Sequence, residues 1–329
     1  MATKPRIANL DQLVKEVMNR HQMLKPVDVQ DKVNMFQYVF TPDQNAQMIR
    51  LTEEGNGQGL IMHRRAEVQL LERLGIPVRF FDRCPEKLKW MTANHFAQNG
   101  GYDKEVTIRT IKDNEARAIV SDQYTAIDDV DIMPMVSDVV SDLGGDVKIA
   151  DFHPDYTHVR IVFPGTETET RPGDIIQTGI HLTNSEVGLR AVHLDAMVYR
   201  LICTNGMVRG ESNGRTSIRH VGDRDRLKDY IRRSIEDAKV NSAEMVKKFK
   251  ASVEMKLNEP EKFIEGFAAQ QKLTQSQFKD ILNTFNYYED KTMYGVINAV
   301  TETAQKSETV EGRYQLERIG TSLLDRVAA

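Results

Sequence analysis

His181, His193 and Asp195 occupy alternating positions in two neighbouring strand-like runs, TGIHLTN and GLRAVHLDAMVYR, so alternation places them on one sheet face. Imidazole and carboxylate are the usual ligands of zinc and iron, and His158 on the preceding run, YTHVRIVF, offers a further donor. The spacing argues against a metal. With Asn184 to Gly188 as the turn, His181 and His193 are diagonal neighbours about 7–8 Å apart at the backbone, and no HxH or HxxxH pattern supports them. No metal and no cofactor is therefore expected. An acid–base site could be assembled from Asp195, Glu186 and a histidine, since such chemistry needs only a donor and an acceptor within reach of substrate. No nucleophile elbow, phosphate loop, dinucleotide fingerprint or HExxH accompanies them. Ser185 in TNSEVG has no identifiable base, and Asn184, Ser185 and Gly188 read more economically as turn builders.

The arginines suggest different chemistry. Arg200, Arg209, Arg215 and Arg219 follow one another along the last strand and the stretch RGESNGRTSIRH, where Gly210 and Gly214 let the backbone approach a ligand closely. Guanidinium forks match phosphate oxygens, and backbone amides of a glycine-containing loop add donors. Arg160 shares a face with His158, and Tyr199 lies opposite the apolar side of its strand, where it could stack on an unpaired base, as could Tyr124 and Tyr156. Arg190 and Arg200 fall by parity on the apolar side. They are expected to sit at the ends of the packed face, to pair with acidic groups on helices, or to line a groove between sheet and helix. The expected nucleic-acid-binding set is thus Arg160, Arg190, Arg200, Arg209, Arg215, Arg219 and Tyr199.

Composition limits the partner. A net charge of −4 excludes coating duplex DNA through bulk positive charge, so any phosphate binding must be local. No apolar run approaches the roughly 20 residues of a membrane span, and the N-terminal MATKPRIANLDQLVKEV has no apolar signal core. Cys84 and Cys203, far apart in apolar surroundings, suit buried reduced thiols and a cytoplasmic location.

The elements that would position these residues make an α+β chain, with an antiparallel sheet and packed helices followed by a mostly helical C-terminal region. A helical and mixed region spans 1–98, an antiparallel sheet core with one inserted helix 99–222, and a helical region 223–329. HRRAEVQLLERLGIP reads as an amphipathic helix with Gly75 and Pro77 as stops, and PEKLKWMTANHFA as another with Pro85 in its first turn. EVTIRTI and ARAIVS form a hairpin turning at Asp113-Asn114. Val130 to Leu143 is a helix capped by Asp128 or Asp129. Three strands follow, with GTETETRPG as a solvated loop and Asn205-Gly206 as a turn. One long helix is expected from Asp223 to about Leu257, and TQSQ at Thr274 is a capping box. The polar face of the sheet is expected to be solvated.

AEVQLLERLGIP, ARAIVSDQYTAIDD, TGIHLTNSEVGLRAVHLDAMVYRLICTNGMV and MYGVINAVTETA together resemble, in order from about Gly59 to Ala304, a phage- and plasmid-borne family filed as a domain of unknown function. NSEVG and CTNGM are its most specific motifs. The resemblance implies a mobile-element context and carries over no catalytic residue. The strand order is more distantly similar to single-strand annealing proteins of the Rad52 type, which implies rings holding single strands in a basic groove.

The expected function is therefore nucleic-acid binding, single-stranded DNA favoured, by a cytoplasmic homo-oligomer, a binding protein before an enzyme. One alternative is a metal-dependent or acid–base enzyme acting on nucleotides or nucleic acid through His181, His193 and Asp195. The other is a phage assembly or host-defence-inhibitor protein that works through protein contacts.

Overall fold

A computed structural model describes residues 9–40, 46–52, 55–112, 114–200, 206–209, 217–218 and 227–327. The fold is α+β, as expected. It opens with α1 (Leu10–Leu24) and the strands β1 (Val27–Lys32), β2 (Phe36–Phe40), β3 (Ala46–Thr52) and β4 (Gly55–Met62). Helices α2 (Arg64–Arg73), α3 (Val78–Arg83) and α4 (Glu86–Asn99) lead to the hairpin β5 (Glu105–Ile111) and β6 (Glu115–Ser121). These strands form one six-stranded sheet in the order β1-β5-β6-β4-β3-β2, antiparallel except where β4 runs parallel to β6. Ala66, Leu70 and Leu71 recur at helical spacing on α2 and bury against Ile108, Ala116 and Ile119, which fixes that helix to the sheet.

The hairpin expected from 105 to 121 forms, but it pairs with N-terminal strands and not with the strands that follow, so the described residues form two sheets where one was expected. The N-terminal strands were illegible because VDVQDK buries little and GNGQGLIM opens on a glycine-rich run of low strand propensity. Helix α5 (Asp129–Asp142) then leads into β7 (Asp146–Phe152), β8 (Thr157–Val162), β9 (Thr168–Arg171), β10 (Asp174–Asn184), β11 (Val192–Arg200), β12 (Gly206–Arg209) and β13 (Ser217–Ile218). The path of this second, seven-stranded sheet is β12-β11-β10-β8-β7, with β9 paired to β10 and β13 to β11. The tract expected to be a solvated loop thus contains β9.

The last third is helical: α6 (Leu227–Ser252), α7 (Pro260–Gln270), α8 (Gln275–Tyr288), α9 (Met293–Gln305) and α10 (Val310–Thr321). Helix α6 stops at Ser252, short of the expected Leu257. The capping box at Thr274 is present, its hydroxyl accepting from Gln277 N at 3.2 Å while Gln277 Oε1 accepts from Thr274 N at 2.9 Å. One face of the second sheet, through Val159, Ile180, Leu194 and Val198, packs on α5 and α6. The opposite face, expected to be solvated, lies under α10, which leaves His158, His181 and Asp195 buried. Among the described residues no helix is long and apolar enough to cross a membrane. Cys84 is half-buried, its thiol donating to Phe80 O at 3.3 Å, whereas Cys203 and the turn residues Asp113 and Asn205 lie outside the described residues.

Candidate functional site

Most of the expected arginine set is committed elsewhere. Arg160 donates twice from Nη2 to the fully buried Glu317 of α10, at 2.9 and 2.8 Å. Arg190 pairs with Glu311 of the same helix and lies 5.3 Å from the ring centre of Tyr156 and 5.0 Å from that of Tyr314. Arg200 pairs with Asp174 and reaches Asn298 Oδ1 and Tyr294 Oη, both at 3.2 Å. Pairing with an acidic group on a helix, one of three arrangements expected for Arg190 and Arg200, is what Arg190 uses, whereas the acidic partner of Arg200, Asp174, lies on strand β10. Tyr199 is buried with Val162, Met197, Val208 and Tyr314, so it presents no stacking surface. These four residues form no open basic furrow. A long cation on a sheet face needs a carboxylate once a helix covers it, and α10 brings Glu311 and Glu317. The side chain of Arg209, and Arg215, Arg219, Gly210 and Gly214, lie outside the described residues.

The histidines do not converge on a metal either. The register pairs His181 with Asp195 and Thr183 with His193, which makes the two histidines diagonal as expected. His181 Nε2 instead lies 3.3 Å from His158 Nδ1, its ring meets Tyr314 edge-on at 4.8 Å, and Tyr314 Oη donates to Asp195. Burial, then the nearby Arg160, holds the His181 imidazole well below its usual pKa, so it stays neutral. Among the described residues no three His, Cys, Asp or Glu side chains are grouped to hold a metal ion. Glu186 and Asp195 serve different networks, and Ser185 builds a turn, its hydroxyl donating to Asp155 O at 2.8 Å and accepting from Leu189 N at 3.2 Å.

The open chemistry lies between the two sheets. A cavity of about 250 Å³ is walled by Val17, Arg20 and Leu24 of α1, by Lys112 and Arg117, by Asp129, Val130 and Glu186, and by the segment His153 to Thr157. A second, of about 410 Å³, lies at the start of α2 and shares His63, Arg117, Pro154 and Asp155 with the first. Local structure explains these positions. Parallel pairing of Met62 with Ala116 sets His63, the N-cap of α2, beside the beginning of β6. The β5–β6 register slips between Arg109/Ala118 and Thr110/Ala116, so Arg117 occupies a bulge that turns its side chain toward the cleft. Gly188, at φ +74°, closes the turn that delivers Glu186, and a Cβ there would lie 2.6 Å from Val120 Cγ1.

Three acidic side chains meet this cleft on unequal terms. Glu186 accepts from Arg117 Nη1 at 2.7 Å and from the Asp129 backbone N–H at 2.8 Å. Asp155 accepts from Arg65 Nη2 at 2.8 Å. Asp129 is bonded by Thr157 Oγ1 and, at 2.9 Å, by Asn184 Nδ2, yet burial and then the neighbouring Glu186 push its carboxyl up to about 7. Arg117 Nε and Nη2 and Arg65 Nε are buried without a hydrogen-bond partner. The cleft can therefore receive an anion through unspent guanidinium donors and holds one carboxyl group that titrates near neutrality. Asp129 was read in the sequence only as a helix cap, and Arg65, His63 and Arg117 were not singled out. The one signal for them was the resemblance itself, since AEVQLL begins one residue after Arg65, ARAIVSDQYTAIDD contains Arg117 and Asp129, and NSEVG contains Asn184 and Glu186.

Comparison with protein families matches residues 116–319, more than half of the chain, to a model described as Domain of unknown function (DUF932). Comparison with curated proteins and with solved structures returned no match.

Proposed function

We propose that this chain, which belongs to the family described as Domain of unknown function (DUF932), is a nucleic-acid-binding protein whose ligand, single-stranded DNA by preference, lies in the cleft between the two sheets. The observation that carries the reading is the set of guanidinium N–H groups left unspent on the cleft walls, on Arg65 and Arg117. Arg20, Arg64, Arg65, Lys112 and Arg117 line these walls with Asp129, Asp155 and Glu186, while Arg64 is held by Glu67 and Asp82 and Lys112 by Glu115. Such a patch binds phosphates locally on a chain whose overall charge is −4, and Tyr156 supplies an aromatic wall for a base. The phage or plasmid context and a role in strand annealing rest on the sequence resemblance alone. A homo-oligomer is supported by strand β1, which ends the first sheet and leaves Val27 and Val29 53% and 40% exposed.

Fluorescence anisotropy with a labelled single-stranded oligonucleotide, repeated across salt concentrations, tests this reading. Affinity should fall steeply with salt, and replacing Arg20 and Lys112 by Ala should weaken binding and reduce the salt slope by roughly 1–2. A salt-independent or undetectable interaction would remove nucleic acid as the ligand.

One observation favours an acid–base enzyme acting on nucleotides as a second reading: the proton that Asp129 holds near neutral pH within the same cleft. It moves the chemistry from His181, His193 and Asp195 to Asp129 and Glu186. Hydrolysis of nucleotides or oligonucleotides that is lost in Asp129→Asn, with binding kept, would establish it, whereas equal turnover by both proteins would exclude Asp129.

A further inference from the structure

We propose that the 410 Å³ compartment is a phosphomonoester subsite, which takes the terminal phosphate of a strand or nucleotide between Arg117, Arg65 and the amino end of α2. The inference rests on the cleft reading for its location, but its chemistry stands on separate observations. Helix α2 is ten residues long, and its N-cap His63 makes no side-chain capping bond, so the first turn presents the positive end of the helix to the compartment. That alone would not make a site. Beside it, the Arg117 side chain is only 7% exposed, spends Nη1 on Glu186, and leaves Nε and Nη2 buried and unpaired. A guanidinium taken out of water with two idle nitrogens is costly unless an acceptor arrives, and phosphate oxygens fit that edge in bidentate fashion. Arg65 repeats the pattern, with Nη2 on Asp155 and Nε unpaired.

Arg64 is held by Glu67 and Asp82, Arg65 by Asp155 and Arg117 by Glu186, so the anion is recruited by the idle guanidinium edges and not by a net charge surplus. Shape selects a monoester. The compartment adjoins the 250 Å³ cavity at His63, Arg117, Pro154 and Asp155, so a phosphate seated in it carries its single substituent toward Val17, Leu24, Val130 and Tyr156, apolar and aromatic walls that suit a nucleoside.

Two oligothymidylates of one length, with and without a 5′-phosphate, should be titrated into the full chain, with inorganic phosphate as competitor. The expected result is binding tightened about tenfold by the 5′-phosphate, with inorganic phosphate removing that increment. Arg117→Lys, which keeps a charge but loses the fork, should bind both oligonucleotides alike. Equal affinity of the two in the native protein overturns the subsite and leaves the cleft reading standing. Failure of both to bind, while inorganic phosphate or thymidine monophosphate raises the Tm of the native protein but not of Arg117→Lys, upholds the subsite and ends the polynucleotide reading. No response to any of these probes overturns both. If Arg117→Lys does not fold, Arg65→Ala, at a more exposed side chain, serves the same comparison.

Discussion

Arg109 on β5 holds Asp128, the N-cap of α5, through two bonds of 2.8 Å from Nη1 and Nη2, so a side chain of the first sheet fixes the start of a helix packed on the second. The same guanidinium donates through Nε to Asp28 on β1 at 2.8 Å and reaches the backbone carbonyl of Glu186. Burial alone would raise the Asp128 carboxyl, but Arg109 outweighs it and holds that carboxyl below the usual carboxylate range. Replacing Arg109 with Met should strand Asp128 and lower stability by about 3–5 kcal/mol in urea unfolding. A loss of less than about 1 kcal/mol would mean that the two layers are held together elsewhere.

A second buried pair ties the C-terminal region to the sheet. Glu317 accepts from Arg160 and, at 2.9 Å, from Gln305 Nε2. Glu317→Gln leaves the Arg160 cation buried without its counterion and should cost roughly 3 kcal/mol. The double variant Arg160→Met/Glu317→Leu should recover much of that loss, because neither charge then needs solvation. Additive losses in the double-mutant cycle would show that the pair is not coupled.

Local signals account for what could be read from the residues alone. The α2 stripe, the Thr274 capping box, the Asp128–Asp129 helix start and the β10–β11 alternation each depend on neighbours within a few positions, where periods of 3.6 and 2 are visible. The return of α10 onto the polar sheet face joins Arg160 to Glu317 across 157 positions, and no local period encodes that contact. The expectation of exposed phosphate-binding arginines failed at Arg160 and Arg190 for this reason, and at Arg200 because Asp174 of β10 and Asn298 and Tyr294 of α9 engage its guanidinium. Arg117 was hidden differently: it sits at a bulge, where alternation breaks, and its place beside α2 depends on a parallel pairing with β4.

Acid should loosen α10 before it unfolds the rest of the chain. Burial opposes ionisation of Glu311, but His158 and Arg190 outweigh it and hold the carboxyl down at about 2. A depressed carboxyl contributes stability that is present above its unfolded value near 4.5 and is lost as pH falls toward 2. Near-ultraviolet circular dichroism of the Tyr314 environment should therefore change below pH 4.5, and Glu311→Gln should show the altered signal already at neutral pH. Identical acid profiles for the two proteins would detach Glu311 from the transition.

Asp129 works in the opposite direction. Its carboxyl moves from the usual 3.8 up to about 7 through burial and then Glu186, so the folded protein prefers it protonated. The favourable term is complete below 3.8, declines as pH rises through the folded value, and beyond that leaves a buried charge costing on the order of 4 kcal/mol. An asparagine at this position keeps the bond from Asn184 through its carbonyl and donates to Thr157 through its amide, and it cannot ionise. Asp129→Asn should therefore match the native protein near pH 4, exceed it at pH 8, and lack the decline with rising pH that Asp129 gives the native protein. Urea midpoints taken at intervals of one pH unit measure this, and parallel profiles for the two proteins would mean that Asp129 ionises in the cleft as freely as it does in water.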